Sequence, residues 1–244
     1  MKVNYSLASV ICLLGVSCMV NAAVLPDRTR LVLNETDKSV SVRLTNKSET
    51  LPYLAQSWIE DSEGKKTRDF ISPLPPLLRL EPREQSQVRL MALPQLATLP
   101  KDRESLFYYN IREVPPRTED KNVMQIAMQS RLKLFWRPKA IVLKEGTVMT
   151  WDKVDISLTA NGINFKNNTP YYVTVGYIGL DGKTLIAGGS SVMIAPFGQE
   201  STVVKNLPSR FQIGYIGDYG GLTMYKISCN SVQSVCQNTA VLKE

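Results

Sequence analysis

There is no histidine anywhere in the 244 residues. That removes Ser-His-Asp and Cys-His catalysis and the usual zinc sites. A carboxylate-based hydrolase needs a recognisable pair of acids, and no such motif stands out. Cysteine is scarce, with four in the whole chain, and none is spaced Cys-x-x-Cys, so a redox-active pair is not expected. No long amphipathic helix is legible. Asp218-Tyr219-Gly220-Gly221 is too short for a phosphate loop and reads as a turn between domains. No enzymatic activity and no cofactor or metal is expected.

Long apolar runs are also missing, with one exception. Leu7 to Val20 is apolar but too short to span a bilayer securely. Lys2 precedes it and the small-residue site Val20-Asn21-Ala22 follows. This reads as a secretory signal over residues 1–22, with the mature chain starting at Ala23. No stable membrane anchor is expected. Gly15-Val16-Ser17 before Cys18 is a poor lipidation box. Removal of the signal takes Cys12 and Cys18 and leaves Cys229 and Cys236, which read as one disulfide closing a hairpin-like loop. The net charge of +7 comes from scattered basic residues, so a soluble surface with a basic cleft is expected rather than nucleic-acid binding. Asn34, Asn46 and Asn167 head Asn-x-Ser/Thr triplets, read as chance.

What is present is strand after strand. Arg30 to Leu33, Ser39 to Leu44, Leu54 to Ile59, Gln87 to Leu90 and Ser105 to Arg112 alternate or carry β-formers. Ser72-Pro73-Leu74-Pro75-Pro76 is expected to fall outside regular strand. About seven strands in roughly 120 residues suggest an immunoglobulin-like sandwich. Arg137-Pro138-Lys139-Ala140 reads as a linker. A second β-rich set follows over Val154 to Leu158, Gly162 to Phe165, Tyr171 to Tyr177, Ser190 to Ile194, Ser201 to Val204 and Leu222 to Cys229. The expected fold is therefore all-β, with two immunoglobulin-like sandwich domains over residues 23–138 and 139–244.

Two neighbouring segments say most about function. The first is LPKDRESLFYYNIREVPP (Leu99 to Pro116). The second, VMQIAMQSRLKLFWRP (Val123 to Pro138), has apolar residues at every other position: Met124, Ile126 and Met128, then Leu132, Leu134 and Trp136. Period-two alternation predicts one long strand with an apolar face. At about 3.3 Å per residue it would run roughly 45 Å. An unpartnered strand of that kind is usually an aggregation hazard.

These segments resemble the signature of the periplasmic pilus chaperones, the immunoglobulin-like chaperones of fimbrial assembly. Asp27-Arg28-Thr29-Arg30, Leu51-Pro52-Tyr53-Leu54-Ala55-Gln56, Thr169-Pro170-Tyr171-Tyr172-Val173-Thr174-Val175 and Gly217-Asp218-Tyr219-Gly220-Gly221 also match. The likeness covers the whole mature chain. It implies an L- or boomerang-shaped pair of sandwiches in the periplasm. Such a protein binds and caps incomplete pilus subunits by donating a β-strand, then hands them to an outer-membrane usher. Self-association in the unbound state is also implied. The short connection from Arg117 to Asn122 resembles the short-loop subfamily that serves rod-like adhesive pili. The alternative from another class is a structural or adhesive cell-surface sandwich protein.

By the same resemblance, Arg30 and Lys133 anchor the C-terminal carboxylate of a pilus subunit. The chemistry suits them, because arginine can grip a carboxylate with two parallel hydrogen bonds and lysine adds a point charge. From composition alone they would be two exposed basic residues on strands. Met124, Ile126 and Met128 become the donated strand, where a plain reading would make them a core face. Strict alternation sets Lys133 on the face opposite these three, so a bulge or strong twist must intervene if one subunit touches both. Glu104, Arg137 and Asp218 match a charge cluster joining the two domains, with Arg89 placed near it.

Overall fold

The computed structural model describes residues 23–117, 125–144, 151–186, 191–230 and 235–240. Alternation of apolar side chains makes strands, and strands make four sheets. The first half of the chain supplies β1 (Val24–Pro26), β2 (Arg30–Asn34), β3 (Ser39–Asn46), β4 (Tyr53–Glu60), β5 (Lys66–Thr67), β6 (Ile71–Leu74), β7 (Leu77–Leu80), β8 (Gln85–Ala92), β9 (Ser105–Val114) and β10 (Gln129–Arg137). The second supplies β11 (Val154–Thr159), β12 (Gly162–Asn167), β13 (Val173–Gly179), β14 (Val192–Ile194), β15 (Gln199–Val203), β16 (Arg210–Ile216), β17 (Leu222–Ser228) and β18 (Gln237–Ala240). Short 3-10 turns lie at Pro94–Thr98 and Lys139–Ile141.

One sheet has the order β1-β3-β8-β6 and faces a second of order β2-β10-β9-β4-β5, with β7 also on β4. Their facing sides enclose one core, including Leu31, Leu33, Leu44, Tyr109, Leu134 and Trp136. The other two sheets run β11-β12-β15 and β14-β13-β16-β17-β18. They enclose a separate core built on Trp151, Phe165, Val175, Ile213, Tyr215 and Tyr225. Each fully buried side chain of this size contributes about 1.5–3 kcal/mol, so each unit has the means to hold itself together. Two buried asparagines repeat one device. Asn46 donates to the carbonyls of Leu51, Leu80 and Glu81 while its Oδ1 accepts from the Ser48 N–H. Asn167 does the same with Tyr171, Ala195 and Thr169. Two of the Asn-x-Ser/Thr triplets are thus internal turn staples.

The structure corrects the strand readings in three places. Ser72, Pro73 and Leu74 do join a strand, β6, but at the edge of its sheet, where a missing N–H costs no ladder bond. The β1, β5, β7, β16 and β18 strands were not anticipated. β16 buries Phe211, Ile213 and Tyr215 on one face. Its Gly214 masked the pattern, and a Cβ there would lie 2.9 Å from side-chain atoms of Leu222 and Met224, which would have to shift to admit it. The third correction concerns the long strand. β10 begins only at Gln129, not at Val123. Residues 125–128 leave the sheet, and the parity argument that set Lys133 opposite Met128 does not carry across that break. Pro115 and Pro116 explain part of this, because neither offers an N–H to continue the β9–β10 ladder.

Candidate functional site

The site begins with a register. β2 and β10 pair in parallel, and Arg30 stands directly beside Lys133. Leu31, Leu33, Leu132, Leu134 and Trp136 point into the core. By the two-residue period, Arg30 and Lys133 therefore share the opposite face. Arg30 is not the exposed surface residue that composition suggests: it is 7% exposed. One of its nitrogens, Nη1, donates to the Ile216 carbonyl at 3.1 Å, and its buried Nε has no partner among the described residues. Lys133 Nζ lies 3.4 Å from Thr174 Oγ1. Burial pushes the Arg30 guanidinium down, against the pull of Asp218. Burial also pushes the Lys133 ammonium down, and the neighbouring Arg30 adds to the effect. Two like charges, partly desolvated and with unused donors, form a place where an anion is favourable.

The strand lane beside β10 is equally informative. β2 covers only Lys133 to Arg137. Gln129 to Leu132 pair with β9 on one side, and among the described residues no strand pairs with their other side. Among the described residues this lane holds no strand up to the point where Arg30 begins β2. Just before it, Ile126 and Met128 are exposed, at 53% and 39%. Met124 lies outside the described residues. A cavity of about 830 Å³ flanks β2 and is lined by Arg28, Arg30, Val32, Arg137, Asp218 and Tyr219 among others. Lys133 is not on its wall, so this cavity is not by itself the anchor site.

The comparisons with known proteins bear on both halves of the chain. Residues 23–142 match the family model described as pili and flagellar-assembly chaperone, PapD N-terminal domain. Residues 149–227 match that of the pili assembly chaperone PapD, C-terminal domain. The chain belongs to the pilus-assembly chaperone family. It is 53% identical to the uncharacterized fimbrial chaperone YqiH of Escherichia coli K12, over 90% of each chain. It is 42% identical to the chaperone protein PapD of Escherichia coli, over 86% of this chain and 88% of that one. Among solved structures it is similar to the periplasmic chaperone SfaE, at 29% identity and a TM-score of 0.64, covering 83% of this chain and 98% of that one.

In this pilus-assembly chaperone the third group of residues sits at the junction of the two halves. Arg137 Nε and Nη2 reach Glu104 Oε1 at 2.8 and 2.7 Å. Its Nη1 and Nη2 also grip Asp218 at 2.9 and 3.1 Å. Glu104 Oε2 accepts the Tyr172 N–H at 2.7 Å, and the Glu104 N–H donates to the Pro170 carbonyl. Phe135 stacks on Tyr172 at 5.5 Å, and Arg137 lies over the Tyr171 ring. Burial pushes the Glu104 carboxyl up to about 7, while Arg137 and the Tyr172 N–H pull it back. Arg137 itself is pushed up by its two carboxylates against its own burial. The two shifts point opposite ways for one ion pair. The hydrogen bonds decide between them: both Glu104 oxygens face N–H donors, leaving no acceptor for a carboxyl proton, so the cluster is a salt bridge. Arg89 is elsewhere, exposed on β8, with no bond to these three among the described residues.

Cys229 and Cys236 are joined, with sulfurs 2.04 Å apart, tying the end of β17 to the start of β18. Sequence reasoning missed several participants. Thr174 and the Ile216 carbonyl could not be found, because their contacts cross from one half to the other. Glu113 does carry a signal in the sequence. It follows Phe107, Tyr109 and Ile111 in the core-facing phase of β9, where an apolar residue is expected, and it is 5% exposed.

Proposed function

We propose that this pilus-assembly chaperone captures incomplete pilus subunits in the periplasm by strand addition along β10 and delivers them to an outer-membrane usher. The signal is residues 1–22, and the two sandwich domains span 23–138 and 139–244. Ile126 and Met128, with Met124, supply apolar side chains to the pilus subunit, and Arg30 with Lys133 holds its C-terminal carboxylate. Glu104, Arg137 and Asp218 keep the domains in register.

The carrying observation is the half-empty lane. A strand added parallel to β10 beside Gln129–Leu132 runs head-on into the start of β2. Its C-terminus then meets Arg30 and Lys133. An antiparallel strand would bring its N-terminal ammonium to the same two cations, which repel it. The anchor chemistry and the strand direction therefore select each other.

The test is a cycle of affinities. Wild type, Arg30→Ala and Lys133→Ala are each titrated with a peptide carrying the C-terminal sequence of a pilin, as free acid and as amide. A charge-assisted hydrogen bond contributes about 1.5–3 kcal/mol. Each substitution should therefore weaken the free acid about ten- to a hundredfold, and the amide hardly at all. Fully additive losses would mean that these residues do not hold the carboxylate.

A further inference from the structure

Glu113 breaks the pattern of its strand. Residues 107, 109 and 111 of β9 are apolar and buried, and the next core-facing position is a glutamate. Among the described residues no lysine or arginine forms an ion pair with it. A carboxylate buried without a counter-ion is costly, and a chain that breaks a local rule usually does so where it functions.

Its hydrogen bonds show what the carboxylate does. Oε2 accepts the Val24 N–H at 2.9 Å, from the edge strand of the opposite sheet. Oε1 accepts the Met128 N–H at 3.3 Å, while the Glu113 N–H donates to the Met128 carbonyl at 3.0 Å. After the pair Arg112–Gln129, the next pair of an antiparallel ladder would be Glu113 with Met128, exchanging two backbone bonds. One of those bonds is made. The other is replaced, because the side chain takes the Met128 N–H in place of the backbone carbonyl. The ladder therefore stops at Met128, and the carboxylate ties that point to β1 across the sandwich.

We propose that Glu113 is a positioning residue that sets where the pilin-binding segment leaves β9 and holds its root in place. This rests on the strand-addition reading above. By taking the Met128 N–H, the Glu113 side chain fixes Met128 at the end of the ladder. By gripping Met128 and Val24 together, it narrows the conformations the segment samples. A segment that is competent only part of the time binds with an affinity reduced by that fraction.

The experiment compares wild type, Glu113→Gln and Glu113→Leu as the full mature chain. Amide hydrogen exchange is read on the protein alone, and the association rate is read with the free-acid pilin peptide. An amide NH₂ cannot accept a hydrogen bond, so glutamine leaves one N–H unpartnered. Leucine restores the apolar phase of the strand and removes both bonds. Exchange at Met128 should speed up about tenfold in the leucine variant, with Leu134 and Trp136 unchanged. Association should slow about three- to tenfold, with dissociation unchanged. The leucine variant should still fold, because the loss of an unpaired buried carboxylate offsets the Val24 and Met128 N–H groups it leaves without their acceptor. If glutamine prevents folding, the leucine variant decides. Wild-type Met128 exchange in folded Glu113→Leu, or loss of the fold in that variant, overturns the proposal and makes Glu113 a structural residue only. Arg30→Ala runs as a control. Normal capture by that control with faster Met128 exchange in Glu113→Leu would remove the anchor reading and leave the Glu113 effect on the segment standing.

Discussion

The fold buries Arg30 and half-buries Lys133, and this makes their charge available to an anion and also fragile. The Lys133 ammonium sits below its ordinary value because it is partly buried and because Arg30 is next to it. The negative charge of a bound carboxylate opposes both effects and raises that value again. The free chaperone therefore loses the Lys133 proton at a lower pH than the complex does. Between those two values binding takes up a proton, and affinity must fall as pH rises. Titration calorimetry should show peptide affinity declining as the pH approaches 10.5, the ordinary lysine value, and starting earlier than an ordinary lysine would allow. It should also show proton uptake when two buffers of different ionisation heat are compared. Lys133→Arg should flatten the decline, since arginine keeps its proton throughout. A flat profile in wild type would place Lys133 outside the anion site.

At the scale of the element, β10 and the residues before it divide the labour. Leu132, Leu134 and Trp136 are core, whereas Ile126 and Met128 are largely exposed. Ile126→Ser and Met128→Ser should therefore leave thermal stability within about 0.5 kcal/mol of wild type. Capture of pilins and self-association of the free chaperone should both weaken, read by pull-down and by sedimentation. A large fall in melting temperature would mean that the two side chains pack inside. How legible this was from sequence differs along the same segment. The alternation of Leu132, Leu134 and Trp136 is decided by burial within one sandwich, which period two reports directly. The same alternation at Met124, Ile126 and Met128 suggested a continuous strand. Whether a strand continues, however, depends on its neighbour's hydrogen bonds, and these are altered by Pro115, Pro116 and the Glu113 carboxylate. Arg30 and Lys133 were legible as a pair only through the family signature. Their direct register is a parallel contact between residues far apart in the chain, which no local pattern encodes.

At the scale of the whole molecule, the two halves have separate cores, so something at their junction must fix one against the other. Glu104 and Arg137 are the buried part of that junction, with side chains 1% and 4% exposed, while Asp218 is 25% exposed. Glu104 touches the second half by two routes, through the Tyr172 N–H and the Pro170 carbonyl. Glu104→Arg would remove the acceptor, strand the Tyr172 N–H and place a second cation against Arg137. Removing one partner of a buried pair costs about 3–5 kcal/mol, so a loss of about 3 kcal/mol or more is expected. Asp218→Asn should cost less, because water screens its partner bonds. Arg103→Ala, next in sequence, loses only exposed contacts among the described residues, an ion pair with Asp102 and a cation–π contact over Phe197, and should cost under about 1 kcal/mol. Urea unfolding followed through Trp136 in one core and Trp151 in the other would rank the three. Wild type should show coincident transitions, and Glu104→Arg should separate them, because the junction couples the cores. Equal midpoints for Glu104→Arg and Arg103→Ala would mean that the cluster does not hold the two halves together, and the orientation of the cleft would need another cause.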